Sequence, residues 1–347
     1  MSAPTPPTAP TPPTAPAPPA ALVDRFGRVH RDLRVSLTDR CNLRCTYCMP
    51  AEGLEWLPSA DLLRAAEIVR LVRIGTELGI TEVRLTGGEP LVRPDVVEIV
   101  AGLAALPRAP HLSVTTNGLR LARLAGPLAE AGLARVNVSC DTLSRETYQR
   151  LTLRDRLRDV LAGIAAAREA GLAPVKVNTV LMRGVNDHEA AALLRWALAE
   201  GVQLRFIEQM PLDPQHSWNR AMMVSQAEVL DHLAHAGFHL TPLGERGSAP
   251  AEEFLVDGGP ATVGVVGSVS NPFCAACDRV RLTADGHWRS CLFAHDEADL
   301  RTPLRAGASD DELAGVMVAQ TAAKQRGHGI DEPAFRQPDR PMSAIGG

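Results

Sequence analysis

The chain has 347 residues, 45% of them hydrophobic, and a formal net charge of -4. That is enough for one large domain, or a large one and a small one, around a real core. A slightly acidic chain gives no ground for general nucleic-acid or anionic-membrane binding, and no run of eighteen apolar residues marks a membrane span.

The first twenty residues are almost wholly Pro, Ala and Thr, carry no charge, and repeat TPPTAP at 5–10 and 11–16. Such a stretch favours solvated polyproline II and builds no core. It has neither the apolar centre of a signal peptide nor the arginines of a transit peptide. We assign 1–24 to a tail, 25–224 to the main unit and 225–347 to a smaller C-terminal α+β region.

From Asp32 onward, short β-rich runs alternate with amphipathic segments of helix length. The runs are Leu33–Leu37, Glu82–Thr86, His111–Thr115, Arg135–Ser139, Val175–Val180 and Gln203–Ile207. The segments include 59–78, 95–105, 157–170 and 187–200, and Gly79, Gly132, Gly171 and Gly201 lie where helices should stop. This pitch predicts six parallel βα units, arranged as a partial barrel or an open sheet.

Polar and glycine-rich residues collect after each run. Cys41-Asn-Leu-Arg-Cys45-Thr-Tyr47-Cys48 follows the first, and Gly87-Gly88-Glu89-Pro90 the second. Thr116-Asn117-Gly118, Cys140-Asp141 and Glu208-Gln209-Met210 follow the third, fourth and sixth, and Asn178 lies late in the fifth. Parallel βα proteins place their sites at this end of the strands. After Cys48 the next cysteine is Cys140, so a [4Fe–4S] cluster on the first three thiolates would keep one open iron. Spacing alone also admits zinc, or thiols with no ligand.

Strand phase sets Arg34 with Ser36 and Thr38, Arg84 with Thr86, and Lys176 with Asn178, opposite the apolar face; Arg205 falls between Leu204 and Phe206. These four cations should point into the lumen. Buried unpaired charge is costly, so each needs a carboxylate or a shared anionic ligand such as a polyphosphate. Only Lys176 and Lys324 are lysines among 36 basic residues, which makes Lys176 a place where a compact ammonium is wanted.

Beyond Met210 the pattern changes. Residues 226–237 read as a helix, and Glu253–Val256, Asp257-Gly258-Gly259 and Ala261–Val266 as a hairpin. Cys274-Ala-Ala-Cys277 and Cys291 form a second triplet. With His287 they make a possible tetrahedral zinc site, and iron–sulfur is the equal alternative. Arg279 and Arg281 share one strand face beside it. The closing Gly346-Gly347 is either a frayed end or a segment narrow enough to thread a cleft. Two cysteine triplets and a singleton make a poor disulfide pattern, and point to a reducing cytosol.

From about residue 25 to 347 the chain resembles the GTP 3′,8-cyclase family of radical S-adenosylmethionine (SAM) enzymes. The resemblance rests on Asp39 to Pro50, Arg84 to Pro90, Thr115 to Gly118, Asn137 to Ser139, Val175 to Asn178, Arg205 to Glu208, Cys274 to Arg281, Cys291 and the terminal glycines. It implies a partial (β/α)6 TIM-like barrel and two [4Fe–4S] clusters. Cys41, Cys45 and Cys48 would hold the cluster that cleaves SAM, and Cys274, Cys277 and Cys291 a second whose open iron meets guanine. Tyr47, Gly88, Ser139 and Met210 would line the SAM pocket. Arg34, Arg84, Thr115, Lys176, Arg279, Val280 and Arg281 would bind GTP. Arg279, Arg281, Gly346 and Gly347 would serve catalysis; Arg205 is reached by strand phase alone. Cys140, where relatives often have leucine, reads as a small buried hydrophobe.

The implied reaction is GTP cyclisation through a 5′-deoxyadenosyl radical, the first step of molybdenum cofactor biosynthesis. The implied partners are an electron donor and the downstream cyclic pyranopterin monophosphate synthase, with the enzyme a monomer or a homodimer. The alternatives are another radical SAM enzyme, such as a peptide-modifying maturase, and a zinc-stabilised binding module.

Overall fold

The structure, a computed structural model, describes residues 21–346. Between residues 32 and 207 six strands are separated by helices, one in each connection except that two lie between the fourth and fifth strands. The strands are β1 (Asp32–Ser36), β2 (Glu82–Thr86), β3 (His111–Thr116), β4 (Arg135–Ser139), β5 (Val175–Val180) and β6 (Gln203–Ile207). The helices are α1 (Ala65–Glu77), α2 (Val96–Ala104), α3 (Leu121–Glu130), α4 (Arg145–Thr152), α5 (Leu157–Glu169) and α6 (Ala190–Glu200). Each strand pairs in parallel with the next.

Alternation along the strands divides the sheet into two faces. Leu33, Val35, Val83, Leu85, Val136, Val138, Leu204 and Phe206 belong to the hydrophobic core. Their neighbours, Arg34, Arg84, Asn137 and Arg205, lie on the opposite, polar face and are also buried. The polar face lines the lumen of a partial (β/α)6 barrel.

The C-terminal region contains α7 (Gln226–His235), β7 (Leu240–Pro242), β8 (Glu252–Val256) and β9 (Thr262–Val266), then β10 (Arg279–Leu282), β11 (His287–Arg289) and β12 (Ala298–Asp299). It closes with α8 (Arg301–Arg305), α9 (Asp310–Ala322) and α10 (Met342–Ile345). Its strands form no separate sheet. β9 joins β6 in parallel, with β8 and β7 antiparallel beyond it. β10 joins β1 in parallel, with β11 and β12 antiparallel beyond. One twelve-stranded sheet results, running from β12 to β7, and its two end strands do not pair. The open strand edges of β1 and β6 are thereby satisfied by one late segment each.

The tail boundary expected at residue 24 lies too late. Leu22 is fully buried in the core, Val23 bridges Val29, and the Asp24 carboxylate meets Arg28 at 2.5 Å. Apolar burial, invisible in a Pro/Ala-rich composition, draws these residues into the fold. Residues 1–20 and Gly347 lie outside the described residues. No helix of the described residues is long and apolar enough to cross a membrane.

Candidate active site

The first thiol loop leaves β1 and is fixed from two sides. Arg44 and Thr46 donate backbone N–H bonds to the Thr152 and Leu151 carbonyls at the end of α4, at 3.1 and 2.9 Å. The Gly87-Gly88 turn packs against residues 38–40. Gly88 N–H donates to the Thr38 carbonyl at 2.7 Å, and a Cβ on Gly88 would collide with the carbonyl oxygens of Asp39 and Arg40. Only glycine permits that approach.

A cavity of about 240 Å³ opens over this loop. Cys41, Cys45 and Cys48 line it, as do all four residues expected around SAM: Tyr47, Gly88, Ser139 and Met210. Thr115, Met342 and Ser343 complete the wall toward the lumen. Two buried carboxylates also line it. Glu89 accepts from Thr116 Oγ1 at 2.7 Å and from Asn117 N–H at 2.6 Å, yet burial raises its pKa to about 7. Asp141 accepts from the Tyr47 hydroxyl at 2.7 Å, and burial raises it to about 6. A cavity floored by acids suits a ligand that carries positive charge.

The thiols support a cluster. Burial, foremost, pushes Cys41 up to about 11 and Cys48 up to about 12, and Cys45 well above its ordinary value, with neighbouring thiols adding to each of the last two. Three thiols that resist ionisation need a strongly electropositive group to become thiolates. Cys45 senses both Cys41 and Cys48, and all three thiols line one cavity, so one shared group can engage them together.

The second triplet sits among bases. Burial raises Cys274. Burial also acts to raise Cys277, but Lys324 and Arg279 outweigh it, and its pKa is lowered. His287, the candidate fourth zinc ligand, sits in a carboxylate network: its Nδ1 lies 3.2 Å from Asp285, which Arg340 also holds.

Between the triplets runs a row of cations set by sheet register. Arg281 of β10, Arg34 of β1 and Arg84 of β2 are lateral partners on three adjacent strands. Arg34 reaches Asp32 at 3.2 Å, and Arg279 lies 3.6 Å from the same carboxylate. Among the described residues Arg84 finds only Ser113, at 3.3 Å. Arg205 donates to Asn178 at 3.0 Å and Asn137 at 2.8 Å, and Lys176 lies 3.7 Å from Glu253. Burial first, then the neighbouring guanidiniums, lowers the proton affinity of Arg84, Arg205 and Arg281. The buried Arg279 Nε has no hydrogen-bond partner among the described residues. Three carboxylates, Asp32, Asp278 and Glu253, facing six cations leave a surplus that an anion would relieve.

The C-terminal strand of residues ends in this lumen. Arg281 donates to the Gly346 carbonyl, and a Cβ on Gly346 would lie 2.7 Å from Thr86 Oγ1. Gly346 also has φ +87°, a conformation glycine adopts freely. Val280 departs from the rest of the expected set: its side chain is fully buried in the hydrophobic core, so only its backbone is left for a ligand. The sequence places Glu89 and Asp141 in the loops at the site end of the strands without giving them a role, and marks neither Asp32 nor Lys324 as a site residue; a lone carboxylate beside a strand arginine is the signal for Asp32.

Residues 35–197 match the Radical SAM superfamily, and residues 202–330 match Molybdenum Cofactor Synthesis C. A GTP 3′,8-cyclase of Streptomyces coelicolor is 61% identical over 329 residues, covering 94% of this chain and 96% of that protein. The GTP 3′,8-cyclase 2 of Mycobacterium tuberculosis is 57% identical over 332 residues, 94% of this chain and 92% of that one. Among solved structures, Streptococcus suis SuiB bound to S-adenosylmethionine superposes with a TM-score of 0.57 over 83% of this chain and 68% of that chain. At 13% identity that likeness is one of fold.

Proposed function

The chain belongs to the GTP 3′,8-cyclase family of radical SAM enzymes, and from that premise we propose how its own residues divide the work. It is a lyase that converts GTP to 3′,8-cyclo-7,8-dihydro-GTP in the first step of molybdenum cofactor biosynthesis, using SAM and [4Fe–4S] clusters.

Cys41, Cys45 and Cys48 would hold the first cluster, and Cys274, Cys277 and Cys291 the second. When bound, the first cluster and SAM supply a one-electron cleavage and a carbon radical for hydrogen abstraction. Tyr47, Gly88, Ser139 and Met210, which line the cavity, would hold SAM. Asp141 orients the Tyr47 hydroxyl, and Glu89 and Asp141 favour the positive charge of that ligand.

Arg34, Arg84, Lys176, Arg279 and Arg281 hold the nucleotide, with Thr115 between the two sites and Arg205 in the same row. Their task is to fix the ribose in reach of the SAM side and to balance the phosphates, which positioning and fixed charge accomplish without reorganisation. The Arg281–Gly346 contact closes the lumen and excludes water.

The observation that carries this reading is the row Arg281, Arg34 and Arg84, three buried guanidiniums on adjacent strands between the thiol groups. Incubation with GTP, SAM and a strong reductant tests it. The expected result is 5′-deoxyadenosine and the cyclised nucleotide only when GTP is present. Equal 5′-deoxyadenosine formation with and without GTP would overturn the coupling of the two sites.

We also propose a barrel unit that begins by Leu22 and runs to 224, and a cluster region from 225 onward, cooperating across the shared sheet. The proposed partners are an electron donor and the cyclic pyranopterin monophosphate synthase that takes the product, in a reducing compartment that suits seven free cysteines.

A further inference from the structure

Lys324 is one of only two lysines in the chain, and the function above employs the other. It lies two residues beyond the end of α9 and is 2% exposed. A buried ammonium costs several kcal/mol unless it is fully engaged. Its three N–H donors meet three acceptors: the Arg279 carbonyl at 2.6 Å, Cys277 Sγ at 3.5 Å and His30 Nδ1 at 3.5 Å. His30 turns its Nε2 to Asp24 at 3.1 Å, so its Nδ1 is the acceptor toward Lys324. Arg28 also holds Asp24, and donates to the Cys274 carbonyl at 2.5 Å. The segment from Asp24 to His30 thus clamps the lysine against the second thiol triplet. The ionisable group that can face the ammonium directly as an anion is the thiolate of Cys277.

We propose that Lys324 is a positioning residue of the second cluster, donating N–H···S to Cys277 while gripping the Arg279 carbonyl of the substrate-facing strand. This rests on the reading that Cys274, Cys277 and Cys291 hold a [4Fe–4S] cluster. Reduction adds negative charge to such a cluster. A buried cation and an N–H donor at one of its sulfurs stabilise the reduced form and raise its reduction potential. The same ammonium ties the cluster to β10, so the potential and the placement of Arg279 depend on one side chain.

The test is an EPR-monitored redox titration of the anaerobic holoenzyme and its Lys324→Met and Lys324→Arg variants. The signal missing from Cys291→Ala identifies the second cluster. Lys324→Met should keep about eight irons, two clusters' worth. Its second-cluster signal should move to a more negative potential while the first stays in place. Lys324→Arg should recover part of the shift. A second-cluster potential unchanged in Lys324→Met overturns the proposal, because a lysine that only fills space is replaced by methionine without electrostatic effect. Should Lys324→Met shed the cluster, Lys324→Gln carries the test: it keeps N–H donors without charge, and again an unmoved potential overturns the idea. A wild-type protein with about four irons removes the cluster assignment itself, and the iron count reveals that before any lysine variant is titrated.

Discussion

Around Cys41, Cys45 and Cys48 the ionisable neighbours are chiefly acids, Glu89, Asp141 and Asp213, with Arg44 the one base felt by Cys41. Around Cys274, Cys277 and Cys291 they are chiefly bases, Lys324, Arg279 and Arg281. The same ligand type is therefore set in two opposite fields. The acidic setting favours a cationic ligand and the reduced cluster least. The basic one favours an anionic ligand and an easily reduced cluster. The lumen cations continue the basic field, so the contrast runs along the barrel from the SAM side to the nucleotide side.

Breaking either triplet gives the largest effect. Cys45→Ala and Cys277→Ala should each lower iron from about eight to about four per chain and abolish cyclisation. They should differ in what remains: Cys45→Ala loses 5′-deoxyadenosine formation, while Cys277→Ala keeps SAM binding and loses GTP binding. Isothermal titration with each ligand separates the two. Undiminished GTP affinity in Cys277→Ala would defeat the division of the sites.

The tail is the next lever, because it lies where the two fields meet. Arg340 anchors it six residues before the lumen contact at Gly346, donating to Asp285 at 3.0 and 2.9 Å and to Glu297 at 2.5 Å. Deleting Gly346 and Gly347 should stop product formation while iron content and both ligand affinities stay near wild type. Arg340→Ala should give a partial loss, since a charged hydrogen-bonded pair contributes about 1.5–3 kcal/mol. Wild-type turnover in the deletion variant would make the Gly346 contact a packing detail.

A smaller, pH-dependent effect tests the basic side alone. Burial, and after it Arg205, holds Lys176 down to about 8, with Glu253 opposing. The free enzyme thus loses this cation as pH rises through about 8, and a polyphosphate binds the protonated form better. KM for GTP should be flat below pH 7 and climb above pH 8, by at most about tenfold per unit. Lys176→Arg should flatten the climb, because a guanidinium stays charged. A climb of equal size in that variant assigns the titration to another group.

The pattern of the first two-thirds was readable because it is local. All six barrel strands follow the period of two, and the observed ends fall within a residue of the expected ones. The phase argument found Arg34, Arg84, Lys176 and Arg205 for the same reason. Local pattern says nothing about partners distant in sequence. That β10 pairs with β1, and β9 with β6, follows from which edges remain open, and this made the C-terminal region look separable. Phase did imply Val280's position, since its neighbours were assigned to the opposite face; the resemblance named it a ligand regardless. Lys324 escaped because Ala-Ala-Lys-Gln after a helix reads as a solvated end. Leu22 escaped because one leucine beside a Pro/Ala tract carries no periodicity.

The smallest expected effect concerns the cysteine that belongs to neither field. Cys140 is 1% exposed within the hydrophobic core, and its Sγ lies 3.4 Å from the Thr142 carbonyl. Burial pushes its thiol up to about 12, and it belongs to the hydrophobic core and not to the cavity that Cys41, Cys45 and Cys48 line. Cys140→Ala removes one buried sulfur and leaves a small void. The cost should be about 1 kcal/mol in urea unfolding, with iron content and turnover unchanged. Asp141 follows it directly and orients Tyr47, so a larger substitution at 140 would reach the SAM wall through the backbone. Cys140→Ala avoids that route, and a drop of even one iron in this variant would place the seventh thiol in the metal chemistry after all.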